Sequence, residues 1–481
     1  PGVIIGFNDS IAWSVTNAQR DLADWYKITY ENAKREKYLL DGEWKHTRKV
    51  IEEFKIRNGE LFYDTVVYTH WGPVTYDGSY HAENQLSNYA FRWMSHDGSE
   101  ELLTFHKLNR AKNHTDYSEA LNHFGTPAQN FVFASVSGDV AMRVQGRFPV
   151  RRTYEGKFVL DGSKSSNGWK AYIPNEQNVM DKNPVRGFVS SANQYPADST
   201  YPYYITAVNW EAYRNRRINQ VLRESDSITV ADMMRLQGDN YNLKAAESLP
   251  LFLSYIDTAK LTATEKKIYD SLKAWNYFNT AESEAASYYE AWWDNLMPMI
   301  WDEMATDDVN LSRPTTYNTI KLIKEKPDLS FFDLQQTPEK ETAREIIQLA
   351  FKAGAEDVIK WKENHPANTT VDWGFYKDSY IGHLLRLQPF SIPVKHGGNH
   401  DIVNAHSRTH GPSWRMVVSL EKTGIKAWGV YPGGQSGNPG SYYYNNLLDT
   451  WVADKHFPLS FLHTANEGNS LYTISLNPAS K

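Results

Sequence analysis

Four stretches of this sequence hold residue types and spacings that could do chemistry. Asp21, Ala23 and Asp24 set two carboxylates and a backbone carbonyl side by side, a donor set suited to a hard cation such as calcium. The turn lacks the Gly and the distal Glu of an EF-hand loop, and a solvated acidic turn accounts for it as well. His396, His400, His406 and His410, with Asp401, could ligate a metal. Their spacing matches no helix-borne zinc pattern, and the Gly and Pro around them also suit a loop whose imidazoles hydrogen-bond locally. GGQSGNPGS, Gly433 to Ser441, is rich in Gly and hydroxyls, but no Lys follows it as in a phosphate loop, so a tight structural loop is the simpler reading. Pro1 carries a secondary amine that could act as a base, although it runs straight into a strand-like segment. Nothing matches GxSxG, HExxH or a dinucleotide fingerprint.

The elements that must position these groups fall into three zones. The first reads as strands. GVIIGF closes on Asn8-Asp9, and IAWSVT follows. TRKVIEEFKIRNGELFYDTVVYTHWGPV reads as a hairpin around Asn58-Gly59, and NFVFASVSGDVAMRVQG as a second one around Ser137-Gly138-Asp139. Residues 150–205 are loop-rich, with Pro174, Pro184, Pro196 and Pro202 spread through them. From 208 the pattern turns helical: EAYRNRRINQVLRES, SITVADMMRLQGD with a Ser/Thr cap, TATEKKIYDSLKAW, ESEAASYYEAWWDNLMPMIWDEM and the amphipathic ETAREIIQLAFKAGAEDVIKW. Strand signals return in WRMVVSL and IKAWGVYP. The expectation is an α+β chain: a core over residues 1–207, a mainly helical segment over 208–365, and a return to the core over 366–481.

Composition narrows the function classes. A chain of 481 residues can bury a large core. A net charge of −6 argues against a nucleic-acid partner. The absence of Cys removes disulfides, thiolate metal sites and a Cys nucleophile. No apolar run approaches a membrane span. Aromatic residues reach 14%, which suits large aromatic cores or aromatic-lined pockets.

Longer motifs say more. PGVIIGFNDSIAWSVTNAQRDLADWY resembles the penicillin acylase family segment PGxxxGxNxxIAWGxTNxxxDxxDxY. NPVRGFVSSANQYP resembles its G-[FY]-I-x-x-x-N-[NQ] segment, and YRNRRINQVL its Arg-containing helix start. HGPSWRMVVSL and YPGGQSGNPGSYYYNNLLDTWVADKHFPL are similar to its closing segments, and all five matches run in order. The resemblance implies an N-terminal nucleophile hydrolase with a four-layer αββα sandwich and a helical insertion. In that family, which includes acyl-homoserine-lactone acylases, a precursor cuts itself into α and β chains. The new N-terminal Ser attacks an amide carbonyl, and its own α-amine, which titrates near neutral pH, serves as base.

The same resemblance assigns residues. The backbone N–H of Asn17 and the side-chain amide of Asn193 would hold the oxyanion, with Arg214 beside them, although Arg216 and Arg217 are close enough to blur the register. Asp21, Ala23 (through its carbonyl) and Asp24 fall on a calcium turn. A later family Asp does not align, since Tyr203 sits near that position with Asp198 the nearest carboxylate, and a further Glu would come from the α chain. Ile5, Val15, Phe105 and Gln129 fall on acyl-pocket positions, and Gln129 is polar for a phenylacetyl site. The PGxxxG strand lies several tens of residues after the Ser in the family. The expected partners are therefore an α chain and a Ser-bearing segment of the same precursor, with an N-acyl substrate such as a β-lactam or an acyl-homoserine lactone. Calcium is the expected structural cofactor, and no organic cofactor, nucleic acid or membrane is expected. The family places such enzymes in the periplasm or outside the cell. The alternative readings are a catalytically incomplete fragment or binding scaffold on the same fold, and a metalloenzyme of the histidine loop.

Overall fold

The computed structural model describes residues 2–152, 155–208, 210–304, 311–464, 467–468, 474–475 and 477–478. Pro1 lies outside them. The chain divides into two compact units, Pro1–Asn215 and Arg216–Lys481.

In the first unit the sequence alternation sets the faces of a five-stranded antiparallel sheet. Its strands are β1 (Gly6–Phe7), β2 (Ile11–Asn17), β7 (Gln129–Ser135), β8 (Val140–Gln145) and β10 (Met180–Lys182), in the order β1-β2-β7-β8-β10. The register pairs Trp13 with Phe133 and Val15 with Phe131, so Ile11, Trp13, Val15, Phe131 and Phe133 share one face. Helices α1 (Glu101–Leu108) and α2 (His114–Leu121) cover that face with Phe105, Leu108, Tyr117 and Leu121. Thr16 and Asn130, also opposite one another, stand on the other face. The apolar run before Gly6 does not continue as a strand. It is held instead by the Trp13 indole N–H, which donates to Ile4 O at 3.0 Å. The Ser137-Gly138-Asp139 turn joins β7 to β8 as its composition predicts.

A second sheet of this unit centres on β3 (Ala23–Lys27). It pairs antiparallel with β6 (Ala90–Trp93) and parallel with β9 (Leu160–Asp161). The acidic Asp21–Asp24 turn therefore runs into a strand, with Ala23 and Asp24 already on the ladder. The Asn58-Gly59 hairpin forms from β4 (Arg48–Lys55) and β5 (Leu61–Thr69), and Asn58 takes the left-handed conformation that its short polar side chain tolerates.

The second unit is built on helices whose starts are written in the sequence. After α3 (Tyr213–Glu224), which bridges the unit boundary, come α4 (Val230–Gln237), α5 (Leu243–Tyr255), α6 (Ala263–Ala274), α7 (Glu284–Ile300), α8 (Thr316–Glu325) and α9 (Ala343–Asn364). Thr229, Thr262 and Thr342 close capping boxes with Asp232, Glu265 and Glu345, satisfying amides the helix itself leaves free. Phe252, Trp292, Trp293, Trp301 and Phe351 fill the core between α5, α6, α7 and α9. A three-stranded antiparallel sheet of β11 (Arg415–Glu421), β12 (Gly424–Val430) and β13 (Phe457–Leu459) completes the unit. No helix among the described residues is long and apolar enough to cross a membrane.

Candidate active site

The end of β2 and the loop around Asn193 meet within the first unit. Asn193 has a positive φ of 66°, which turns its amide toward β2. Its Nδ2 donates to Asn17 O at 2.9 Å, and Arg214 Nη2 donates to its Oδ1 at 2.9 Å. A guanidinium can only donate, so this contact fixes which end of the amide is oxygen and leaves Nδ2 as the donor toward β2. Gln19 holds the backbone of the same residue. Its Nε2 donates to Asn193 O at 2.6 Å, and its Oε1 accepts from Trp210 N–H at 3.0 Å.

The ladder decides where the Asn17 N–H points. Ala18 N–H donates to Ala128 O at 3.1 Å, so residues 18 and 128 form a hydrogen-bonded pair. By antiparallel alternation, Asn17 and Gln129 are a non-bonded pair, and the Asn17 N–H faces away from β7. Of the expected catalytic set, Asn17, Asn193 and Arg214 are thus brought together by direct contacts.

Three of the expected acyl-site residues, Val15, Phe105 and Gln129, lie on or against one face. Val15 packs at the edge of the cluster that contains Phe105 and Phe131, and Gln129 follows at the polar end of that face. Gln129 Nε2 donates to Asn17 Oδ1 at 3.1 Å, which spends its polarity on the strand end. Ile5 precedes β1 on the segment that Asn109 grips through Val3, its Nδ2 donating to Val3 O at 2.8 Å.

The Asp21, Ala23 and Asp24 oxygens do converge, but on a guanidinium. Arg151 Nη1 lies 2.8 Å from Asp24 Oδ1, and its Nη2 lies 3.4 Å from Asp21 Oδ1 and 3.5 Å from Ala23 O. The other Asp24 oxygen accepts from Trp169 Nε1–H at 2.6 Å. Burial pushes Asp21 up to about 6, against the opposing pull of Arg151, and raises Asp24 as well. Asp198 accepts from the N–H of Thr200 at 2.9 Å, and the Tyr203 hydroxyl donates to Gln177. With each Asp24 oxygen already engaged and a guanidinium facing the turn, these residues do not fit calcium as they stand. Among the described residues no group of three or more His, Asp or Glu converges for a metal.

The histidine loop likewise resolves into pairs. His396 Nε2 contacts Asp454 Oδ1 at 3.1 Å, His400 contacts Asp401 at 3.1 Å, and His410 is exposed. Buried His406 accepts the Lys377 ammonium on its carbonyl at 2.9 Å, and burial depresses its imidazole to about 2. In the 433–441 loop, a Cβ on Gly434 would meet Tyr443 O at 2.1 Å, a close approach that explains Gly there.

Sequence reading missed Asn130, Gln19, Ser191 and Arg151. For Asn130 a signal existed: an amide directly before the apolar FVFA run of its strand. Arg151 shows none, since its partners lie more than a hundred residues away.

The sequence profile described as penicillin amidase matches residues 1–467. The chain belongs to the penicillin amidase family. Relatives in that family include an acyl-homoserine lactone acylase, QuiP, of Pseudomonas aeruginosa, 25% identical across 96% of this chain and 60% of the relative. A penicillin G acylase of Escherichia coli is 23% identical across 60% of this chain and 34% of its own length. The chain thus spans about 60% of the length of the curated QuiP relatives. A thermostable penicillin G acylase structure from Alcaligenes faecalis superposes with a TM-score of 0.72 at 15% identity, over 99% of this chain and 91% of that one. The fold is therefore that of the penicillin acylases, with mixed helix and strand content.

Proposed function

We propose that this chain carries the oxyanion-binding part of an enzyme that hydrolyses the amide bond of an N-acyl substrate. The observation that carries this reading is the amide of Asn193, fixed by Arg214 and aimed at the end of β2 where the Asn17 N–H also faces out. Attack of a hydroxyl on the amide carbonyl gives a tetrahedral centre whose oxygen takes up negative charge. The C–N bond then breaks, and the amine leaves with the proton taken from that hydroxyl; water next attacks the resulting acyl ester, the acid departs and the hydroxyl regains its proton. Asn17 N–H and Asn193 Nδ2 are neutral donors suited to the oxygen that takes up the charge. An amide NH2 has two hydrogens, so Nδ2 can keep Asn17 O while its other hydrogen turns to the oxyanion.

The attacking Ser is assigned to a segment outside these residues, with its α-amine as base. An α chain of the same precursor is the companion, and αββα layering is the architecture this reading carries. The acyl group is assigned to the half-buried Val15 at the edge of the apolar cluster of Phe105 and Phe131, with Gln129 next along that face and Ile5 before β1. That composition admits acyl chains of β-lactams or of acyl-homoserine lactones alike.

The test is Asn193→Ala in the full-length enzyme, with an N-acyl amide as substrate. A loss of about 10²–10³ in kcat is expected for one oxyanion donor. Unchanged turnover would sink the oxyanion role of Asn193, and no turnover by the wild-type enzyme would leave an acylase-like scaffold that binds rather than hydrolyses.

A further inference from the structure

We infer that Asn130 is a positioning residue that sets the spacing of the two oxyanion donors, an inference that rests on the function proposed above. Asn130 is 1% exposed and stands on β7 opposite Thr16. Its Nδ2 lies 3.2 Å from Thr16 Oγ1, 3.2 Å from Asn17 O and 3.1 Å from Ser191 Oγ. Thr16 Oγ1 and Ser191 Oγ are themselves 2.6 Å apart. One buried amide therefore ties the last residues of β2 to the segment that carries Asn193 two positions later. The Asn17 carbonyl is gripped from two sides, by Asn130 and by Asn193 itself. A displacement of Asn17, whose carbonyl and N–H share one Cα, would carry the first donor with it and shift the seat of the second.

The other half of the Asn130 amide sharpens the point. Its Oδ1 is buried and has no hydrogen-bond partner among the described residues. Leaving such an acceptor unpaired costs about 1–3 kcal/mol, which an apolar residue of the same size would not incur. A side chain needed only to fill the sheet face has no reason to carry that cost. One needed for its donor side does. Donors of an oxyanion must sit within about 2.7–3.1 Å of the developing charge, and a displacement of about 1 Å can cost about 10²-fold.

The experiment is a double-mutant cycle in the full-length enzyme with Asn130→Leu and Asn193→Ala, reading kcat and KM separately. Asn130→Leu should lower kcat by about 10–100-fold with KM changed by less than about twofold, because Val15, to which the acyl group is assigned, is on the opposite face of the sheet. The loss caused by Asn193→Ala should shrink to a few-fold in the Asn130→Leu background, since a displaced donor has little left to lose. A folded Asn130→Leu enzyme with wild-type kcat, or losses that simply multiply, would overturn the inference. Should Asn130→Leu fail to fold, Ser191→Ala removes the same tie from its other end and is read in the same way. If Asn193→Ala alone leaves kcat intact, the proposed oxyanion role of Asn193 fails and this inference with it. If only the Asn130 and Ser191 variants are silent, the inference fails alone.

Discussion

At the scale of single residues, polar groups are held by partners that sequence proximity does not suggest. Arg214 acts on Asn193 by fixing the orientation of an amide, a task that needs a pure donor. Arg151 does the equivalent for an acidic turn. Its guanidinium and the Asp24 carboxylate are buried, with Asp21 part-buried beside them, so Arg151→Met should destabilise the protein by about 3–5 kcal/mol in a denaturant titration, as breaking a buried pair does. A loss within about 0.5 kcal/mol would mean that the turn draws little from this arginine. Asp21 gives a pH signature. An acid whose folded pKa of about 6 exceeds its usual value near 4 keeps its proton in the folded state. Its contribution to stability is therefore greatest below about pH 4, declines as pH rises through 6, and is level above that. Asp21→Asn should flatten that stretch of a stability-against-pH curve and leave the alkaline side parallel to wild type.

At the scale of elements, the pairing of α7 with α9 depends on one missing side chain. Gly354 lies inside α9, where Ala would ordinarily add up to about 1 kcal/mol of helix propensity. Here a Cβ would stand 2.7 Å from Trp292 N and 2.8 Å from Ala291 C, both backbone atoms of α7. Gly354→Ala is therefore expected to lower stability, by about 1–3 kcal/mol, with the sign opposite to propensity. A thermal melt shifted upward would show that the two helices can part without loss. The Ser/Thr cap expected at the start of α4 is Thr229, and Thr262 and Thr342 close the same local capping box at α6 and α9. The Gly354 contact was not legible from sequence, because it depends on which two helices meet.

At the scale of the whole molecule, the expected calcium can be weighed by its effect on global stability. A ligand that binds only the folded state raises the melting temperature with its concentration. Since the Arg151 guanidinium faces Asp21, Ala23 and Asp24, removing calcium with a chelator should leave the melting temperature of the wild-type protein unchanged. A calcium-dependent rise would show that the turn takes a metal beside the arginine. What the sequence by itself determined is whatever short-range pattern and long motif encode. These are the Asn58-Gly59 hairpin, the alternating faces of β2 and β7, the capped helices after Tyr213, and membership of the penicillin amidase family. The family motifs already set Asn17 and Asn193 at one site; only the tertiary structure decided that Asn193 Nδ2 donates to the Asn17 carbonyl, that Asn130 ties their carriers together, and that the acidic turn closes on Arg151. The reason is physical. Turns, caps and pleat faces follow from dihedral preferences and periods a few residues long, whereas a hydrogen bond between distant residues exists only once sheet register has brought donor and acceptor within about 3 Å.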